Sequence, residues 1–176
     1  MRGQRVFAFV LALLFATAAC GGDALPRFED YPAAPIFAGT PAKVNLASHP
    51  DAKKFRTALT EPFTPQQRFA GHYRIVEIGC GTSCQAIFAV DLVDGSVRSL
   101  FVASSGVAYR PDSRLIVRND PATYYEMLET MSAKEVEPLM AMYGMPEFWL
   151  EHAGKFERIG PKELRIDPVS KRIVAK

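Results

Sequence analysis

Four short segments rich in Val, Ile, Phe and Tyr follow one another in the middle of the chain, and their close spacing constrains the fold more than any other feature. They are residues 72–78, 85–92, 97–102 and 114–118. Their composition is typical of β-strands. The short gaps favour antiparallel pairing, because two parallel strands need a crossover connection of about a dozen residues or more. Asp94-Gly95, between the second and third segments, is a strong hairpin signal.

Capping residues indicate helices on both sides of these strands. Ser48 and Asp120 each begin a segment that has a proline in its first turn, and Ser132 begins a capping box with Glu135. The predicted helices cover residues 50–59, residues 122–131 and a segment after residue 132. Pro138 interrupts the last pattern, so we expect that helix to be short or kinked.

A second hairpin is predicted around Ala153-Gly154, with residues 147–152 and 155–159 as its strands. Residues 164–167 and 172–174 are predicted as a final short pair. We therefore predict an α+β fold, in which a mainly antiparallel β-meander sheet is covered by two or three short helices. Residues 48–176 are long enough to form this sheet and its helices as a single domain.

The first 19 residues have the three parts of a secretory signal peptide. Arg2 and Arg5 give a short positive region, residues 6–15 are continuously apolar, and residues 16–19 are small. The apolar run is shorter than the roughly 20 residues that span a bilayer. The pattern predicts that residues 1–19 form a signal peptide and that the mature protein is exported.

Cys20 follows this segment in a setting that favours lipidation. Ala18-Ala19-Cys20 resembles the end of a bacterial lipobox, in which the cysteine becomes the lipidated N-terminus, although Thr17 stands where Leu is usual. The alternative is ordinary cleavage after Ala18, which leaves Cys20 as a free thiol. The cysteine count favours lipidation, because the other two cysteines make a natural pair and leave Cys20 without one.

The residue after Cys20 bears on localisation. By resemblance to lipoprotein sorting, Gly21 in place of Asp implies an outer-membrane protein that faces the periplasm; otherwise the protein is periplasmic or secreted. Residues 20–47 are rich in Gly, Ala and Pro, and we interpret them as a lipid-linked tether and irregular lead-in.

Charge limits the partners that the mature chain can have. Removing Arg2 and Arg5 with the signal peptide leaves equal numbers of basic and acidic residues. A neutral domain lacks the positive surface that drives nucleic-acid binding, so no nucleic-acid partner is expected. The expected partners are the membrane, through the N-terminal lipid anchor, and an envelope protein or a small anionic ligand.

Three motifs give the central part of the chain a family resemblance. They are Phe69-Ala70-Gly71-His72-Tyr73, Gly79-Cys80-Gly81-Thr82-Ser83-Cys84-Gln85 and Tyr109-Arg110-Pro111-Asp112-Ser113-Arg114-Leu115. They resemble a family of uncharacterised bacterial secreted proteins and lipoproteins with a core of the form FAGHY, GCGTxCQ and YRxDSRL. The resemblance covers roughly residues 36–119. It implies export but no activity.

Cys80 and Cys84 admit three interpretations. In an exported protein the default is a disulfide, which here would hold the tight turn between two strands. A redox pair is the second, although the spacing is not the C-x-x-C of thioredoxin-like proteins. The third is a soft-metal site with His72, which would share a strand face with Cys80 because an even number of residues separates them.

The candidate ligand-binding residues are polar side chains of the three motifs: His72, Gln85, Arg110, Asp112 and Arg114. His72 is either a buried or half-buried histidine hydrogen-bonded to a nearby loop, or a ligand or general base. The charged cluster is either a structural network, in which Asp112 pairs with an arginine, or an anion-binding patch, because arginine guanidinium groups suit carboxylates.

No standard catalytic motif is present. The chain has no nucleophile elbow, glycine-rich phosphate loop or H-E-x-x-H pattern. We therefore expect a non-enzymatic envelope protein that binds a partner or small ligand, with no cofactor or metal ion. The alternatives are a metal-handling protein, and a hydrolase or redox enzyme that uses His72 with the Cys80/Cys84 loop or with the arginine cluster. The enzyme hypothesis requires the side chains of His72, Arg110 and Asp112 to meet at one cavity.

Overall fold

The computed structural model describes residues 24–176 of the chain. These residues contain ten antiparallel strands and three α-helices, joined by turns and loops. The predicted α+β class is confirmed. The predicted signal peptide at residues 1–19 and the predicted lipidation site at Cys20 lie outside the described residues. Among the described residues, no helix combines the length and the apolar character that a membrane crossing requires.

The first sheet contains three of the predicted strands and one short strand that the sequence pattern missed. Its order is β1-β2-β3-β4, and every neighbouring pair is antiparallel. The strands are β1 (Arg68–Phe69), β2 (Tyr73–Gly81), β3 (Cys84–Asp91) and β4 (Val97–Ala103). The predicted hairpin at Asp94-Gly95 joins β3 to β4, and Gly95 has a φ of 78°, in the left-handed region that this turn favours.

The fourth predicted strand does not continue this meander but belongs to a second sheet. The chain leaves the first sheet after Ala103, where the Asn119 side chain accepts a hydrogen bond from the Ser104 N–H at 2.8 Å. The second sheet has the order β5-β6-β7-β8, and β9 pairs with β10 in a separate hairpin. These strands are β5 (Val107–Tyr109), β6 (Leu115–Arg118), β7 (Glu147–His152), β8 (Lys155–Ile159), β9 (Leu164–Ile166) and β10 (Ile173–Ala175).

The helices differ from their predictions in detail. They are α1 (Arg56–Thr60), α2 (Ala122–Thr130) and α3 (Ala133–Tyr143). Ser48 is not the predicted N-cap: His49 caps a 3-10 turn at Pro50–Ala52, and the Ser48 hydroxyl instead accepts a hydrogen bond from Val97 N–H at 2.8 Å. The capping box at Ser132 is confirmed, and α3 continues through Pro138 for 11 residues. Burial of Val136 and Met140 offsets the backbone bond that Pro138 removes.

The two four-stranded sheets pack face to face, and the outer face of each is covered. Between them lies a core that includes Phe69, Tyr73 and Ile116. The outer face of the first sheet packs against α1 and the segment before it. The outer face of the second sheet packs against α2, α3 and the β9-β10 hairpin.

Residues 24–47 run along both sheets and are bonded to each of them. Pro32 bridges to Ser113, and Ala33 N–H donates to the Asp112 carbonyl at 2.8 Å. Further along, Phe37 N–H donates to the Gly71 carbonyl at 3.0 Å. This course places residues 33–37 across one end of the space between the sheets.

Candidate functional site

A cavity of about 580 Å³ opens at this end of the space between the sheets. Its walls come from residues 33–37, both sheets and the turn between β7 and β8. Its polar lining comprises two arginines, two carboxylates, a histidine and a tyrosine: Arg98, Arg114, Asp91, Glu151, His72 and Tyr73. Alanine, proline, phenylalanine and valine side chains make up most of the remaining wall.

The turn from β1 to β2 carries His72 into the cavity. Ala70 and Gly71 both have left-handed backbone angles, with φ of 47° and 76°. A Cβ at Gly71 would lie 2.8 Å from the Pro35 carbonyl oxygen, so only glycine allows the turn and the lead-in to approach this closely. The glycine of the FAGHY motif therefore shapes both the turn and the adjoining cavity wall.

His72 is held by its own loop and faces a carboxylate. Its Nδ1 lies 3.0 Å from the Ala70 carbonyl, so this nitrogen carries the hydrogen and donates it. Its Nε2 lies 3.7 Å from Asp91 Oδ2, and the ring packs on Tyr73 with centroids 4.2 Å apart. Asp91 lies directly opposite Tyr73 in the β2-β3 register.

Tyr73 lies where the charges of the cavity meet. Its side chain is buried between the sheets, and this burial, with the negative charge of Glu151, raises the pKa of Tyr73 to about 12. The positive charge of Arg98 opposes the shift without cancelling it. The hydroxyl therefore stays protonated at neutral pH and can donate a hydrogen bond within the cavity.

Arg114 lies immediately before β6, and Glu151 lies on β7, the neighbour of β6 in the second sheet. Arg114 donates from Nε to the Pro32 carbonyl at 3.3 Å and from Nη1 to the Glu151 carbonyl at 3.5 Å. The Glu151 side chain accepts the Gly154 N–H at 2.8 Å, and the residue is only 5% exposed. Among the described residues, neither Arg98 nor Arg114 has a carboxylate oxygen within the 4.0 Å of an ion pair.

Arg110 and Asp112, the other two members of the predicted charged cluster, lie apart from Arg114. Arg110 lies outside the cavity, where it pairs with Glu29, lies 3.5 Å from Asp112 and covers the Phe28 ring. These contacts join the lead-in to the loop before β6. The enzyme hypothesis requires His72, Arg110 and Asp112 to line one cavity. They do not, because Arg110 and Asp112 lie outside it.

The cysteines lie at the other end of the β2-β3 hairpin. The Sγ atoms of Cys80 and Cys84 are 1.97 Å apart, at bonding distance, across an exposed turn. Cys80 follows His72 by eight positions, which correspond to about 26 Å along an extended strand. The structure therefore does not bring His72 to the cysteines, because residues on one strand face can still lie far apart. Gln85, beside Cys84, also lies at this distant end, with its side-chain oxygen buried.

Four polar residues of the cavity were not among the sequence candidates: Tyr73, Asp91, Arg98 and Glu151. The hairpin register could have indicated two of them, because counting outward from the Thr82-Ser83 turn between the cysteines places Asp91 opposite Tyr73. No comparable signal exists for Arg98 and Glu151, which belong to different sheets.

Residues 24–176 contain no group of three or more His, Cys, Asp or Glu side chains arranged to hold a metal ion. Comparison of the chain with protein-family models, curated proteins and solved structures finds no match.

Proposed function

We propose that this chain is an exported envelope protein, anchored through a lipidated Cys20 to the periplasmic face of the outer membrane, whose cavity binds a small ligand with an anionic group. The observation that carries the binding proposal is that Arg98 and Arg114 line one cavity without a carboxylate partner among the described residues. The export and anchoring proposals rest on residues 1–21 of the sequence.

Arginine suits this role because its planar guanidinium presents several N–H donors to a carboxylate or phosphate and keeps its charge at every physiological pH. Arg114 is already positioned by the Pro32 and Glu151 carbonyls, so little side-chain freedom remains to be lost on binding. The cavity volume lies within the range of about 300–1,000 Å³ that is usual for small-molecule sites.

A binding role is favoured over catalysis by the chemistry of the lining. No Ser, Thr, Cys or Lys side chain lines the described cavity, so it offers none of the commonest nucleophiles. The second candidate is a hydrolase in which His72, which lines the cavity, activates water. It is less favoured because Nε2, the nitrogen left free to act as a base, faces the Asp91 carboxylate.

Calorimetry and thermal unfolding of the purified mature protein with acetate, succinate, citrate and phosphate test the binding proposal. At a ligand concentration of ten times Kd, we expect about 1.4 kcal/mol of stabilisation and a rise in Tm of about 3–5 °C. Arg98→Gln and Arg114→Gln should each abolish most of this rise, because each removes one of the two free cations.

Arg110→Gln is the matched control, because it removes the same charge from a partly exposed residue outside the cavity. It should leave the ligand-induced rise in Tm unchanged. The binding proposal fails if no ligand that carries a carboxylate or phosphate binds, or if the cavity variants bind as the wild type does. Mass spectrometry of the mature N-terminus tests the anchor separately, and an unmodified start at Ala19 would contradict it.

A further inference from the structure

We propose that the ligand of this cavity is zwitterionic, carrying an ammonium group as well as a carboxylate, as a free amino acid or a short peptide does. The inference rests on the anion-binding function proposed above and adds a second charge to the ligand. Its basis is that the cavity holds two carboxylates besides its two guanidinium groups, and that these four charges do not pair directly with one another.

Glu151 is the first of these carboxylates. The residue is only 5% exposed, and the hydrogen bond from Gly154 N–H occupies one of its two oxygens. No donor among the described residues bonds the other oxygen. A buried carboxylate is costly unless a cation or hydrogen-bond donors compensate it. A ligand ammonium group would supply both the positive charge and the donors that Glu151 lacks.

Asp91 is the second carboxylate, and it too has one oxygen available. Its Oδ1 accepts the Val93 N–H at 2.8 Å, and its Oδ2 lies 3.7 Å from His72 Nε2, beyond a normal hydrogen bond. The side chain is 13% exposed. An ammonium group with three donors can bond the free oxygen of Asp91, that of Glu151, or both.

The mixture of charges disfavours a simple anion. An ion drawn to Arg98 and Arg114 would be repelled by Asp91 and Glu151, because all four side chains line the same cavity. A ligand with separate positive and negative ends satisfies both pairs. The buried Tyr73 adds a neutral hydroxyl donor to the same cavity.

The apolar wall and the volume of the cavity further restrict the chemical class of the ligand. Pro35 and Phe37 form an apolar side to which an aliphatic side chain could pack. The cavity of about 580 Å³ is larger than one small amino acid needs, which leaves room for a peptide of a few residues. The chemical class is therefore an amino acid or short peptide with free termini.

Three forms of one tripeptide test the inference with few other variables. Trialanine carries both charges, N-acetyl-trialanine only the carboxylate, and trialanine amide only the ammonium group. We expect calorimetry of the mature protein at pH 7 and low salt to show trialanine binding at least about tenfold more tightly than either blocked form.

Glu151→Gln assigns the ammonium site. The amide keeps an oxygen for the Gly154 N–H and removes the charge, so trialanine should bind about tenfold more weakly while N-acetyl-trialanine binds as well or better. Glu157→Gln is the matched control, because Glu157 is exposed on β8 and outside the cavity; it should leave all three affinities unchanged. Asp91→Asn provides a second cavity variant if Glu151→Gln does not fold.

The outcomes separate the two proposals. If N-acetyl-trialanine binds as tightly as trialanine, the zwitterion inference is overturned while the anion site stands. The same holds if simple carboxylates or phosphate bind and no form of trialanine does. If trialanine amide binds as tightly as trialanine, or if neither the anions nor the peptides bind, both proposals fail.

Discussion

The two ends of the β2-β3 hairpin are built from one pair of strands but have different surroundings. At the end where β2 begins, Tyr73 and Asp91 are enclosed by the second sheet and by residues 33–37. At the other end, Cys80 and Gly81 are the exposed last residues of β2, next to the turn at Thr82-Ser83. Enclosure removes water and strengthens the electrostatic interactions of a site. The proposed binding cavity therefore lies at the enclosed end, whereas the disulfide holds the exposed end.

Substituting one glycine at each end gives the largest expected contrast. Gly71→Ala should destabilise the protein by about 3 kcal/mol, because alanine is strained at a left-handed φ and its Cβ would meet the Pro35 carbonyl at 2.8 Å. Gly79→Ala should change stability little, since nothing lies within 4 Å of a Cβ there. Urea unfolding measures both, and equal costs would show that the cavity end is not the more constrained.

The buried tyrosine gives the cavity end a pH dependence. Because the pKa of Tyr73 is raised to about 12 from 10.0, the folded protein keeps a proton that the unfolded chain loses as pH rises through 10. This contribution to stability is therefore intact below pH 10 and falls by about 2.5 kcal/mol as the pH approaches 12. Unfolding of the wild type and Tyr73→Phe between pH 9 and 12 measures it.

The Tyr73→Phe variant should lose less stability than the wild type across this range. Tyr125→Phe, which alters an exposed tyrosine on α2, is the control and should follow the wild type. Parallel curves for the wild type and Tyr73→Phe would mean that Tyr73 is not the buried, protonated group described above.

Removing the Cys80–Cys84 disulfide should lower the free energy of unfolding by a smaller amount and leave the cavity unaffected. The chain-entropy model for so short a loop gives a loss of about 2 kcal/mol for the double variant Cys80→Ser with Cys84→Ser. Ligand affinity at the cavity should stay unchanged, because changes this far apart act independently. Urea unfolding and calorimetry measure the two quantities. A weakened ligand would show that the hairpin ends are coupled, and two titratable thiols in the native protein would rule out the bond.

Local turn chemistry made several elements predictable. Asp94-Gly95 and Ala153-Gly154 both connect the strands that the pattern indicated, and Ala153 and Gly154 have the two left-handed φ angles of a tight hairpin turn. The helix after Pro121 and the capping box at Ser132 could also be predicted from the sequence, because each depends on residues within one helical turn.

Long-range contacts decided what the pattern missed. Ser48 has the side chain of an N-cap, but its hydroxyl meets the Val97 N–H, 49 residues away. The short strands β1 and β5 contain too few residues to show an alternating pattern and depend on the neighbours they pair with. The candidate site changed for the same reason: His72 and Arg114 line the cavity, whereas Gln85, Arg110 and Asp112 do not.

The sequence by itself determined the α+β class, the two tight hairpins and the cysteine pair, because turn, cap and strand preferences act over a few neighbouring residues. Only the tertiary structure decided that the strands divide into two facing sheets. It also decided that residues 33–37 close one end between them. That packing brings Arg98 and Glu151 from different sheets into one cavity with His72, and no local preference encodes a contact across so many residues.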